Sequence, residues 1–354
     1  VIRGLTVATL AIVVAFTAFV GWLLLVYPST EGPGAGAEVE VVLADFEDAD
    51  ALVALLDDEA LVADASIFGA YLRLHGADAR LRRGRVQLDD GMTPEEIAGT
   101  VAIGFGGSKS RITFPEGLDR YAIAERLADY GICPAEDFLA ATEDRDLLDS
   151  LDIEGPTAEG YLFPDTYELF TDTDASEVVE LMVSTFHRRV DPHFEEHEDA
   201  FEALEEGLGW GELEVLTLAS IVEKEAAVAE ERPRIAGVFL NRLRSEDFRP
   251  HRLQADPTVS YGCLVAPDSS EPCRAYEGGA PSAAMVRDRD NAYNTYLIEG
   301  LPPGPIANPG ADAVRSVLTA EDHDFFFFVA RGGGRHHFSR TLEEHDGAVE
   351  RYLR

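Results

Sequence analysis

The sequence predicts an α+β protein: a small β-α-α-β module, then a larger and mainly helical domain, the whole preceded by one membrane-spanning helix. Three observations predict it. Residues 5–27 are an uncharged, largely apolar run; residues 39–88 alternate short β-branched stretches with Ala- and Leu-rich helical periods; beyond Ser110 apolar residues recur mostly at helical spacing, broken by Gly- and Pro-rich turns. With 354 residues the chain can hold two or three domains with real cores.

The run 5–27 is long enough to cross a hydrocarbon layer of roughly 30 Å. It exceeds the roughly 7–15 residues of a signal-peptide core. Arg3 precedes it, whereas Glu31, Glu38 and Glu40 follow. The positive-inside rule then makes residues 1–4 a cytoplasmic stub and places everything after Tyr27 outside the plasma (inner) membrane. Cleavage at the small residues Gly34-Ala35-Gly36-Ala37 is the alternative reading of this end. Residues 28–38 are a Pro/Gly-rich linker.

The following elements are read from period and punctuation. Residues 39–43 form a strand, 48–57 and 64–74 two helices, and 81–88 a second strand. Thr93-Pro94-Glu95-Glu96 opens a further helix with a capping box and Pro at its first position. The module spans 39–107, and the larger domain 108–354. In the latter, 112–114 is a short strand, and 119–130 a helix ended by Gly131. Residues 176–190 form a helix stopped by Asp191-Pro192, and the acidic stretch 191–208 a solvated helix or loop. Helices follow at 212–230 and 234–244. Turn-rich stretches surround 254–258, 292–296 and 300–310. An apolar strand at 325–330 then returns, after Gly332-Gly333-Gly334, along His336-His337-Phe338.

Acidic residues outnumber basic ones 66 to 29, for a net charge of −37. Such a surface repels phosphates and argues against nucleic-acid partners. Acidity spread this evenly fits a high-salt habitat or simple solubility. Three cysteines suit an exported compartment. Cys263 and Cys273 flank a turn-rich segment and are expected to pair locally, leaving Cys133 free; three unpaired thiols are the other reading. His336, His337 and His345 are too thin a set for a metal site, and no metal or cofactor is expected.

Two glutamates stand i, i+2 in one apolar helical run, Ser220-Ile221-Val222-Glu223-Lys224-Glu225-Ala226. Carboxylates are costly to bury, and i and i+2 lie roughly 200° apart, so one surface cannot hold both. Leu218, Ile221 and Val222 line the approach to Glu225; Leu216, Ala219 and Ser220 give Glu223 a smaller, wetter stripe. Desolvation keeps a carboxyl protonated, as a general acid requires, which favours Glu225. The bland alternative is that either glutamate caps an amphipathic face toward water. Gln254, Asp256, Thr258, Asn294 and Tyr296 carry polar groups suited to neutral sugars within rigid turns, although each could simply close its own Asx- or ST-turn.

Several blocks, in order, resemble the YceG-like family of membrane-anchored endolytic murein transglycosylases. They are Glu159-Gly160-Tyr161-Leu162-Phe163-Pro164-Asp165-Thr166-Tyr167, the glutamate helix from Ala219 to Glu225, Val238-Phe239-Leu240-Asn241-Arg242-Leu243, Leu253-Gln254-Ala255-Asp256-Pro257-Thr258, Ala292-Tyr293-Asn294-Thr295-Tyr296 and Gly300-Leu301-Pro302-Pro303-Gly304-Pro305-Ile306. A weaker likeness, in Arg83-Gly84-Arg85-Val86 and the stretch 91–97, makes 39–107 LysM-like. The resemblance implies a lysozyme-like α+β catalytic domain that cleaves the β-1,4 bond from N-acetylmuramic acid to N-acetylglucosamine and leaves a 1,6-anhydro end. It implies Glu225 as the catalytic acid. Glu223, Glu159, Tyr161, Asn241, Gln254, Asp256, Thr258, Tyr293, Asn294 and Tyr296 would bind substrate or shape the site, with Tyr161, Tyr293 and Tyr296 as sugar platforms. Implied partners are peptidoglycan strands, the membrane and cell-wall synthases. A non-catalytic peptidoglycan-binding scaffold and a hydrolytic muramidase stay open as alternatives. The segment between Cys263 and Cys273 departs from the family pattern.

Overall fold

The computed structural model describes residues 2–43, 49–77, 81, 84–102, 109–171 and 173–353, with side chains in the first helix described from residue 13 onward. Asp48 at the expected helix start, Arg83 of the LysM-like stretch and the expected 107/108 boundary lie outside the described residues. The chain divides into two compact units, Val1–Ser110 with Leu169–Asp174, and Arg111–Glu168 with Ala175–Arg354.

The first unit opens with α1 (Ile2–Leu25), 24 residues or about 36 Å long. The first third of the expected membrane span, 5–12, has no described side chains. Among the described residues no helix is long and apolar enough to cross a membrane. Then come β1 (Glu38–Leu43), α2 (Ala49–Asp58), α3 (Ala65–Leu74), β2 (Gly84–Asp89) and α4 (Pro94–Val101). The strands pair antiparallel, Val41 opposite Val86. Asp64 caps α3 by accepting from Ile67 N at 3.0 Å. In the α4 capping box, Glu96 N donates to Thr93 Oγ1 and Thr93 N to Glu96 Oε2. Leu52, Leu56, Phe68, Leu72, Ile97 and Val101 form its core, where the apolar faces of the helices meet.

Beyond α4 the order is β3 (Lys109–Thr113), α5 (Arg120–Asp129), α6 (Ala135–Ala141), α7 (Arg145–Ser150), β4 (Thr166–Phe170), α8 (Ala175–Glu196), α9 (Glu198–Leu208) and α10 (Glu212–Glu225), with β3 and β4 straddling the division and the helices in the second unit. It continues with α11 (Arg232–Arg244), α12 (Asp256–Val265), α13 (Glu271–Arg274), α14 (Ala311–Leu318), β5 (Phe327–Gly332), β6 (Arg335–Ser339) and α15 (Leu342–Tyr352). Strands β3 and β4 pair, as do β5 and β6, so the chain is mainly helical α+β with small two-stranded sheets. Helix α10 is the centre of this unit, packed by α11, α12 and α14, and α15 lies on β5.

The structure differs from the expected elements in four places. Helix α8 runs through Pro192 to Glu196. Proline there deprives only the Arg188 carbonyl of its partner, and Arg188 is exposed, so water can satisfy it. Helix α10 stops at Glu225, because Ala226 adopts an extended ψ of 99°. The stretch after Asp256-Pro257 is helix, with Pro in the first turn where its missing N–H costs nothing. Finally, Val215 to Val222 are all buried, so the wetter stripe expected before Glu223 does not exist. What separates the two glutamates is their partners.

Candidate active site

The end of α10 is pinned by the residues around Glu225. The Glu223 carboxylate takes an ion pair from Arg232 of α11, Nη2 to Oε1 at 2.6 Å, and accepts from Gly310 N at 3.2 Å. Its side chain is only 6% exposed. Burial raises its pKa while Arg232 and the Gly310 amide pull it down. Lys224 Nζ donates to Gly117 O at 3.1 Å. Glu223 and Lys224 thus tie the last turn to the segments before α5 and α14.

Glu225 is different. Among the described residues its carboxyl makes no hydrogen bond, and it faces a cleft of about 450 Å³ shared with Arg242, Gln254, Asp256, Tyr296, Phe328 and His345. Burial pushes its pKa up to about 7, the Asp256 carboxylate adds to the rise, and the Arg242 guanidinium opposes it. The carbonyl end of α10 carries partial negative charge and acts in the same direction as Asp256. Arg242 is itself held by protein: Nε donates to Phe326 O at 2.7 Å and Nη1 to Leu253 O, and its plane lies over the Phe248 ring. Burial brings its pKa down to about 10, so it stays cationic at neutral pH.

The other wall is the entry to α12. Gln254 has a left-handed φ of 55°, which a non-glycine residue adopts only under constraint. The constraint is visible. Gln254 N donates to Thr295 O at 3.1 Å and Ala255 N to Thr295 Oγ1 at 3.0 Å. Asp256 then sits in the first helical turn, where the helix N-terminus favours its charge, and accepts from Tyr296 Oη at 2.7 Å.

Glu225, Gln254, Asp256 and Tyr296 are thus the sequence-predicted residues that meet in one cleft. The others lie elsewhere. Tyr161 is 2% exposed and packs against Phe186, 5.0 Å between centroids, so it is a core side chain and cannot serve as a sugar platform. The apolar ring area outweighs its one hydroxyl. Thr258 is buried and bonded to Ala255 O and Thr295 Oγ1. Asn294 is buried and donates to the Met285, Val286 and Asp288 carbonyls. Asn241, expected to bind substrate or shape the site, donates to the His323 and Phe325 carbonyls. These three amide and hydroxyl groups hold loop backbone and do not line the Glu225 cleft. Tyr293 packs on Tyr261 at 5.1 Å.

Glu159 is fully engaged behind the site. It accepts from Arg120 N, from Tyr261 Oη at 2.9 Å and from Asn308 Nδ2 at 2.6 Å. Burial nevertheless raises its pKa to about 7. Asn308 also accepts from Gly160 N and Leu162 N through Oδ1, joining the 159–162 block to the turn before α14. Gly160 permits the approach: φ is +93°, and a Cβ would stand 2.6 Å from Pro305 Cγ. Asn308, Arg242 and His345 were missed from sequence. Arg242 carried a signal of the same kind as the glutamates, an ion inside an apolar helical run. His345 comes from α15, and nothing local in the sequence brings it to Glu225. Cys263 and Cys273 are disulfide-bonded, and Cys133, outside that disulfide, is buried.

Residues 41–351 match the YceG-like family. The chain is 29% identical over 321 residues to the endolytic murein transglycosylase of Bacillus subtilis, covering 86% of this chain and 81% of that protein. It is 28% identical to the endolytic murein transglycosylase of Streptococcus pneumoniae, where it spans 84% of its own length and 55% of the longer relative. The crystal structure of a YceG-like protein from Listeria monocytogenes superposes with a TM-score of 0.54 at 28% identity, covering 89% of this chain and all of that one. A match over this much of its length means that the chain belongs to the YceG-like family.

Proposed function

We propose that the chain is an endolytic lytic transglycosylase of peptidoglycan in which Glu225 is the single acid–base group. The observation that carries this reading is the Glu225 carboxyl: raised to about 7, without a hydrogen bond among the described residues, and facing a polar cleft. Near neutral pH about half of such groups hold a proton, and the same group can take one back. The names of the relatives at 28–29% identity support the same chemistry.

The reaction balances on one carboxyl. Glu225 gives its proton to the glycosidic oxygen as the bond to the muramic C1 breaks. Positive charge develops at C1, and the fixed Asp256 carboxylate favours it. The Glu225 carboxylate then removes the proton of the C6 hydroxyl, whose oxygen closes on C1 as the 1,6-anhydro ring. No water enters, so the paired acid and base of an ordinary glycosidase are not needed. Glu223, locked to Arg232 and Gly310, fixes the helix end that presents Glu225.

In this reading α1 anchors the chain in the plasma membrane, with residues 1–4 cytoplasmic and the cleft outside. Support comes from the apolar run 5–27 and from the exposed Val13, Val14, Phe16 and Phe19. Release of the full chain from membranes by alkaline carbonate would contradict the anchor. The activity is tested with isolated sacculi: wild type should release anhydro-muropeptides and Glu225→Gln none, with strand binding retained. Full activity of Glu225→Gln would refute the assignment.

A further inference from the structure

Asp256 and Pro257 line two clefts. One contains Glu225; the other, also about 450 Å³, is bounded by Ser260, Tyr261, Tyr276, Gly279 and Pro281. Lys224, the chain neighbour of Glu225, faces this second cleft. The two clefts meet at the first turn of α12.

The second cleft has a covalently closed wall. Cys263 in α12 and Cys273 in α13, their Cα atoms 4.6 Å apart, are both buried. They form a small apolar cluster with Val259 and Met285, and Tyr276 and Tyr296 pack against it. One stapled core thus supports an aromatic residue of each cleft. The lip is pinned at a single carbonyl, Gly279 O, which accepts from Tyr276 Oη at 2.9 Å and Ser260 Oγ at 3.1 Å. Gly278 and Gly279 take φ of +104° and +86°, and a Cβ on either would meet nothing within 4 Å, so the backbone there stands open. Tyr276 spends its hydroxyl on the lip and stays partly exposed beside the cleft. Lys224 uses one of three N–H donors on Gly117 O.

We propose that this second cleft is a subsite for the part of the glycan strand that runs on past the bond held at Glu225, with Tyr276 as its stacking platform and the Cys263–Cys273 lobe as the determinant of preference for long strands. The inference rests on the transglycosylase reading. A strand cut in its interior must continue on both sides of the broken bond, and this cleft adjoins the Glu225 cleft through shared residues. An aromatic face with open backbone and hydroxyls suits a pyranose, and the remaining Lys224 donors suit the carboxylate of a muramic side group. A wall stapled in its bound shape binds with less ordering entropy lost.

The test uses the full chain and muramic-acid-containing glycan oligomers, a tetrasaccharide and an octasaccharide. Calorimetry in the Glu225→Gln background reads binding without turnover. Tyr276→Ala should weaken the octasaccharide about tenfold, leave the tetrasaccharide unchanged, and in the active enzyme raise KM for long strands with kcat intact. Tyr276→Phe keeps the ring, leaves Ser260 Oγ on Gly279 O, and should restore most of the octasaccharide affinity lost in Tyr276→Ala. Equal weakening of both lengths, no weakening of the longer one, or no octasaccharide binding at all would overturn the proposal. If Tyr276→Ala selectively loses the octasaccharide but products carry reducing ends, the transglycosylase reading fails and the subsite stands. If wild type leaves anhydro ends and Tyr276→Ala binds both oligomers normally, the subsite fails and that reading stands.

Discussion

Replacing Glu225 by glutamine should make the folded protein more stable at alkaline pH and leave its stability near pH 4 unchanged. The Glu225 carboxyl moves from about 4.5 to about 7 on folding, mainly through loss of solvation. Between those values the folded state keeps a proton that the unfolded chain releases. Stability therefore falls as pH rises through this window, and the loss is complete once the folded group has ionised. A shift of about 2.5 units at 1.36 kcal/mol each sets the loss on the order of 3 kcal/mol. Glutamine has the same shape and does not titrate, but its amide must also be buried, at a cost of about 1 kcal/mol or more. A buried neutral carboxyl bears a like cost, so the two cancel near pH 4, and the expected gain above pH 8 is about 3 kcal/mol. Glu159 also titrates near 7 in the fold, but it is present in both proteins and cancels. Urea unfolding followed by the fluorescence of Trp210, buried just before α10, measures the difference at each pH. A Trp22→Phe background removes the only other tryptophan. An unchanged stability difference from pH 4 to pH 8 would show that Glu225 is solvated and would remove the physical basis for its role.

The same carboxyl sets the rate profile. Because the acid must be protonated in the free enzyme, kcat/KM should fall about tenfold per pH unit above about 7, with an inflection that steady-state assays on soluble strands can locate. A flat profile to pH 9 would contradict this. Glu223→Ala should cost about 3 kcal/mol in urea unfolding, since among the described residues it leaves the Arg232 guanidinium, 12% exposed, with its contact to Glu116 alone. It should lower turnover without abolishing it. Loss of all activity in a folded Glu223→Ala protein would exchange the roles of the two glutamates.

Much of this was legible in the chain because local rules and tertiary demands agree there. The Thr93-Pro94-Glu95-Glu96 capping box and the Gly-rich turn between β5 and β6 use chemistry confined to a few residues. The motif blocks supplied Glu225, Gln254, Asp256 and Tyr296 together. Where reading failed, distant contacts decided. Tyr161 looks like a platform until Phe186 is seen against it. Asp256-Pro257 reads as a turn, yet the same dipeptide opens a helix once Thr295 holds the preceding backbone. Helical phase predicted two unlike stripes on α10, but α11, α12 and α14 cover it on all sides. The sequence favoured Glu225 as the acid through a two-stripe argument that the uniformly buried Val215–Val222 stretch of α10 does not support. The distinction comes from Arg232 and Gly310, which claim Glu223 and leave Glu225 unclaimed.

The most direct test of the single-carboxyl mechanism is to digest isolated sacculi with the wild-type chain in water enriched in heavy oxygen and to weigh the muropeptides. The account predicts 1,6-anhydro-muramic ends that carry no label, because the C6 oxygen closes on C1 and no water is consumed. Reducing ends bearing one heavy oxygen would show that water attacks C1, and would contradict it.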